Sequence, residues 1–201
     1  MFRILFGSLL VSLLSLATPV SAITIDNNTG LVAPTNQLGF DGLGAGTQVT
    51  NQFASQGVVF TPTLAGPLVT LYSDGFTNMN QYALNQGGVF QIQFQGTVNE
   101  AAFAFLTNGG DSIFTALLQG NLVESFTAST NLVGRFFGFT GITFDAIEVN
   151  PDGNGQPFRL DNLQYGIVTP SSVPEPSTLV LLCLGIAGIG FSRRKAVKMV
   201  S

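Results

Sequence analysis

Three hydrophobic patterns follow one another along the chain. The first is a largely apolar run of 14 residues without a charge, 4–17, preceded by Arg3. The second fills the middle and has a period of two. In Val89-Phe90-Gln91-Ile92-Gln93-Phe94-Gln95 the residues Phe90, Ile92 and Phe94 fall on one face and three glutamines on the other. That alternation predicts a half-buried antiparallel strand. The third is again without a charge, the 17 residues 176–192.

Other segments of the middle share the short period. Residues 101–106 set Phe103 and Phe105 on one face with small residues opposite, as in a strand covered on both sides. Arg135, Phe137 and Phe139 alternate in the same way, 142–149 predicts a further strand, and shorter ones fit 57–60, 67–72, 113–118 and 122–126. Asn108-Gly109-Gly110, Gly120-Asn121 and Asp152-Gly153-Asn154-Gly155 predict hairpin-type turns between them. Within Phe158-Arg159-Leu160-Asp161-Asn162-Leu163-Gln164-Tyr165 the alternation changes phase, and a β-bulge at Asp161-Asn162 would turn all four apolar residues to the core. No helical stripe is sustained between 30 and 170. About ten short strands with regular turns predict an all-β fold, a two-sheet antiparallel sandwich of jelly-roll-like kind, as one domain over residues 23–170.

The two ends are not part of that body. Fourteen residues are too few to cross a hydrocarbon layer of about 30 Å. With Arg3 before them and Val20-Ser21-Ala22 after Pro19, they predict a signal peptide, 1–22, cut after Ala22. The later run is just long enough to span as one transmembrane helix. Arg193, Arg194 and Lys195 follow it and are held on the cytoplasmic side, so they stop transfer. The body is then exported, and residues 171–201 form a tail held in the inner membrane.

Before the span stands Val173-Pro174-Glu175-Pro176. Two prolines around one residue keep the peptide extended and open to an enzyme at the membrane surface. The Pro-Glu-Pro sequence, the hydrophobic span and the basic end, in that order, resemble the PEP-CTERM sorting signal. The resemblance covers residues 173–195. It implies an exosortase as partner, an integral-membrane cysteine peptidase or transpeptidase that cuts near the motif and releases or transfers the body. It also implies a Gram-negative or cyanobacterial cell that makes exopolysaccharide. A permanent anchor over 177–192 is the alternative. The segments 40–60 and 159–163 also look like the opening and the final strand of many ectodomains that carry this tail.

Charge narrows the partners. Between residues 23 and 173, ten acids face only Arg135 and Arg159, a net of eight negative charges. Nucleic acid and an anionic membrane surface are therefore poor partners. The single cysteine, Cys183, lies in the tail, so the body has no disulfide, and the chain has no histidine. Hydrolases built on a nucleophile and a histidine base are excluded. A glycosidase needs only two carboxylates, but no pair is singled out; Asp145 and Glu148 read as solvated acids beside a strand, and no catalytic residue is assigned.

Two ligand sites are expected. Tyr72-Ser73-Asp74 and residues 78–82 fall in one polar loop, so Tyr72, Asp74 and Tyr82 are the candidate surface for a saccharide. The chain has no tryptophan, the usual sugar platform, and the body's 15 phenylalanines read as core. Asp41 and Asp161 stand near the two ends of the body, where a structural Ca²⁺ would tie the first and last strands. The loop from Asp152 fails as an EF-hand, because Pro157 stands where that loop needs glycine. The expected function is a non-enzymatic structural or adhesive protein of the cell surface or extracellular matrix. The alternative is a carbohydrate-binding module of the exopolysaccharide matrix.

Overall fold

The computed structural model describes residues 22–63, 68–72, 76–153 and 157–167. Residues 1–21 of the expected signal peptide, Asp74, the sorting motif, the expected span and the basic end all lie outside them. Among the described residues, no helix is long and apolar enough to cross a membrane.

The body is all-β. Among the described residues its ten strands are β1 (Ile23–Asn27), β2 (Asn36–Leu38), β3 (Val58–Pro62), β4 (Val69–Tyr72), β5 (Tyr82–Gln86), β6 (Phe90–Thr107), β7 (Asp111–Leu118), β8 (Asn121–Ser129), β9 (Phe136–Asn150) and β10 (Phe158–Ile167). Every pairing among them is antiparallel. The stretches expected as separate strands at 89–95 and 101–106 are one strand, β6, and those at 135–139 and 142–149 are one strand, β9.

These two long strands each serve two layers. In the first layer, the opening of β6 and the close of β9 lie between β3 on one side and β7 and β8 on the other. In the second, the close of β6 and the opening of β9 lie between β10 and β1, with β5, β4 and β2 beyond β10. The β6–β9 register slips between Gln93 and Val98, where Gln95-Gly96-Thr97 offers no core side chain and the strand can bend. Phenylalanine rings meet across the layers. Phe114 of β7 lies 5.1 Å from Phe137 and 5.6 Å from Phe105, and Phe90 stacks on Phe158 at 4.5 Å, centroid to centroid. Such pairs add to the burial of large apolar rings.

The expected bulge is present. The β10–β6 register shifts between Asp161 and Gln164, and Asn162 has φ 54°. Phe158, Leu160, Leu163 and Tyr165 are in consequence all at most 2% exposed. The turn expected at Gly120-Asn121 sits one residue earlier, at Gln119-Gly120 with φ 52° and 78°, because Asn121 pairs with Leu118. Two positive φ values at the centre of a two-residue loop suit the twist of a hairpin.

The outer faces of the two layers differ. Ala102, Ala104 and Phe136 on the second layer are buried under Ile25, Leu31 and Met79, so that face is roofed. An ion pair between Arg135 and Asp26 closes the roof's edge. The outer face of the first layer carries Thr61, Gln91, Gln93, Thr115, Ser125 and Glu148, none of them buried.

Candidate functional site

On that open face the strands bring polar residues into one line. Thr61, Gln91, Glu148, Thr115 and Ser125 occupy successive register positions on β3, β6, β9, β7 and β8. With neighbouring strands about 4.8 Å apart, the row is about 19 Å long. Hydrogen bonds hold its members. Gln91 Nε2 donates to Glu148 Oε2 at 2.9 Å, Gln93 Nε2 to Gln91 Oε1 at 3.2 Å, and Thr61 Oγ1 to Gln93 Oε1 at 3.3 Å. Thr115 and Ser125 hydroxyls lie 3.1 Å apart. Beside the row is a groove of about 530 Å³ lined by Gln91, Gln93, Leu117, Gln119, Asp145 and Glu148. Asp145 Oδ2 accepts the backbone N–H of Gln119 at 2.9 Å and so fixes the β7–β8 turn at the groove's end. Leu117 gives the groove an apolar wall, and Leu122, 67% exposed, stands opposite it on β8.

Asp161 is a different kind of site. The bulge points its carboxylate inward, and the side chain is fully buried. Its Oδ2 accepts the N–H of Asn80 and its Oδ1 the N–H of Asn162, both at 2.7 Å, and the N–H of Phe40 also bonds to it. Burial pushes its pKa from 3.8 up to about 6; the charge of Asp41 adds to the rise and the three N–H donors oppose it. The charge of Asp41 thus reaches Asp161, the pair for which a shared calcium ion was expected. Three accepted bonds, however, use most of the roughly four lone-pair sites of a carboxylate. Among the described residues, no three His, Cys, Asp or Glu side chains gather to hold a metal ion. The carboxylate's visible work is to tie the segments at Phe40 and Asn80 to the last strand.

The two tyrosines expected in one loop are instead paired strand residues. Tyr72 ends β4 and Tyr82 begins β5, directly opposite each other. Tyr165, expected in the core, is buried, and its hydroxyl donates to the Gln56 carbonyl at 2.6 Å. Arg159 lies 5.5 Å from the centre of the Phe76 ring, and among the described residues its buried Nη1 has no hydrogen-bond partner. No sequence signal marked that contact. Nor did one mark the alignment of Gln91 with Glu148, which depends on the register between two distant strands.

Residues 172–195 match the family model of the PEP-CTERM protein-sorting motif. The C-terminal region of the chain thus carries a PEP-CTERM sorting signal, which indicates an exported protein. No curated protein matches it in sequence. Among solved structures, an arabinose-bound MgGH51 α-L-arabinofuranosidase aligns over 71% of this chain and 26% of its own, at 11% identity and TM-score 0.42. A lysine-to-alanine variant of the family 29 carbohydrate-binding module CBM29-2 aligns over 78% and 99%, at 13% identity and TM-score 0.38. The apo CBM1 of BiXyn10A aligns over 67% and 99%, at 8% identity and TM-score 0.37. The chain spans about a quarter of the length of the arabinofuranosidase. At these scores the likenesses assign no ligand and no activity to this chain.

Proposed function

We propose that the chain is the precursor of a cell-surface or extracellular-matrix protein with a structural or adhesive, non-enzymatic role. A signal peptide ending at Ala22 starts its export, and the segment 176–192 then holds it in the inner membrane with Arg193, Arg194 and Lys195 on the cytoplasmic side. An exosortase cuts near Pro174-Glu175-Pro176 and frees a jelly-roll-like sandwich. The observation that carries this reading is the sorting-motif match over residues 172–195. The test is the pair of substitutions Pro174→Ala and Pro176→Ala, which removes the rigid, extended presentation of the motif. The doubly substituted chain is expected to stay in the membrane fraction; unaltered release contradicts the reading.

A second reading, a carbohydrate-binding module of the exopolysaccharide matrix, is favoured by the open polar row on the first layer. The two readings are compatible, since a matrix protein can adhere through a glycan.

A further inference from the structure

We infer that the open outer face of the first layer is a groove for an uncharged polysaccharide chain, held through Gln91, Gln93 and Glu148. The inference rests on the carbohydrate reading and moves its site away from the Tyr72–Tyr82 hairpin.

Three observations carry it. First, the two outer faces have opposite chemistry: one is roofed by an apolar cluster, while the other presents amides, hydroxyls and a carboxylate in register across five strands. Here the hydrogen bonds Thr61–Gln93–Gln91–Glu148 fix the side chains in place before any ligand arrives, which lowers the ordering cost of binding. Second, the groove mixes the two surfaces that a sugar needs. Carboxylates of Glu148 and Asp145 and the glutamine oxygens accept from ring hydroxyls, glutamine amides donate to them, and Leu117 offers an apolar surface to the C–H face. Third, charge selects against acidic polymers. The groove holds two carboxylates and no cation among its lining residues, in a body with eight net negative charges, so a uronate or sulfate chain would be repelled. The row, about 19 Å long from strand spacing, is open along its length and takes a chain rather than a single sugar.

The test is migration of the full-length chain, in mild detergent, through native gels containing galactomannan, xylan or hydroxyethylcellulose, with alginate as the anionic comparison. At least one neutral glycan should retard the protein, and alginate should not. Gln91→Ala with Glu148→Ala should raise the apparent Kd at least tenfold with the melting temperature unchanged. Glu148→Gln keeps the side-chain size and should weaken retention several-fold, and it serves as the test if the alanine pair unfolds. No retardation by any of the three glycans, retention by alginate, or retention that Glu148→Gln and the alanine pair leave unchanged would overturn the proposal. Loss of retention on substituting Tyr72 and Tyr82 alone would keep the carbohydrate reading and refute this groove. A dimer that dissolves when Gln91 and Glu148 are replaced would refute it in favour of a second copy as the occupant. Because the assay uses the unprocessed chain, its failure is separate from any failure of sorting.

Discussion

Replacing Asp161 with alanine probes how the end of the body is tied to its beginning. The buried carboxylate accepts N–H groups from Phe40, Asn80 and Asn162. Alanine leaves those donors without their acceptor, at about 1–3 kcal/mol for each one kept from water. It also relieves a cost. The rise from 3.8 to about 6 means that the folded chain holds the Asp161 proton more tightly than the unfolded chain does. At about 1.4 kcal/mol per pH unit, ionising the buried group costs the fold about 3 kcal/mol at pH 7.5. Protonation therefore favours the fold: the extra stability is complete below about pH 3.8 and is lost as pH rises through about 6. On going from pH 7.5 to 4.5 the native protein recovers about 2 kcal/mol from this one group, and Asp161→Ala has nothing to recover. The substitution is thus more damaging at pH 4.5 than at pH 7.5 by about 2 kcal/mol, or roughly 4–8 °C in Tm for a domain of this size. Thermal melts followed by circular dichroism at both pH values, with chelator present throughout, measure that difference. An equal loss at the two pH values would refute the raised ionisation of Asp161, and no loss at either would refute its role as a brace.

Two further substitutions and one addition test other parts of the fold. A Cβ on Gly138 would fall 1.9 Å from the Ala101 carbonyl oxygen and 2.7 Å from Ala102 Cα, both backbone atoms that no rotamer change can move. Gly138→Ala should cost more than the ~1–3 kcal/mol of ordinary overpacking by parting β6 from β9, whereas Gly42→Ala, with nothing within 4 Å, should leave the denaturant midpoint unchanged. A calcium ion shared by Asp41 and Asp161 would offset their repulsion and raise the Tm in calcium over that in chelator; an unchanged Tm refutes the shared ion.

Much of this was legible in the sequence where the information is local. The phenylalanines of β6 and β9 alternate, so their faces could be read strand by strand. The phase change in Phe158–Tyr165 announced the bulge, because only an extra residue turns Leu160 and Leu163 to the same side. The long strands were not legible as such: Gln95-Gly96-Thr97 and Thr140-Gly141 read as breaks, but they are the corners at which β6 and β9 pass between layers. β1, β2 and β5 escaped notice, since short segments such as Asn36-Gln37-Leu38 have too few residues to show a period. What surrounds Asp161 was not readable, since Asn80 reaches it across 81 positions of sequence. The glutamines of β6 were seen to face outward. Their alignment with Glu148 is set by a register that no single strand contains.

The most direct measurement of the sorting claim is mass spectrometry of the protein recovered from the cell surface and medium, reading both termini. The account predicts a new N-terminus at Ile23 and a new C-terminus near Pro174-Glu175-Pro176, with the segment 177–201 gone. Recovery of the chain from the cytosol, with Met1 and Ser201 both retained, would contradict it.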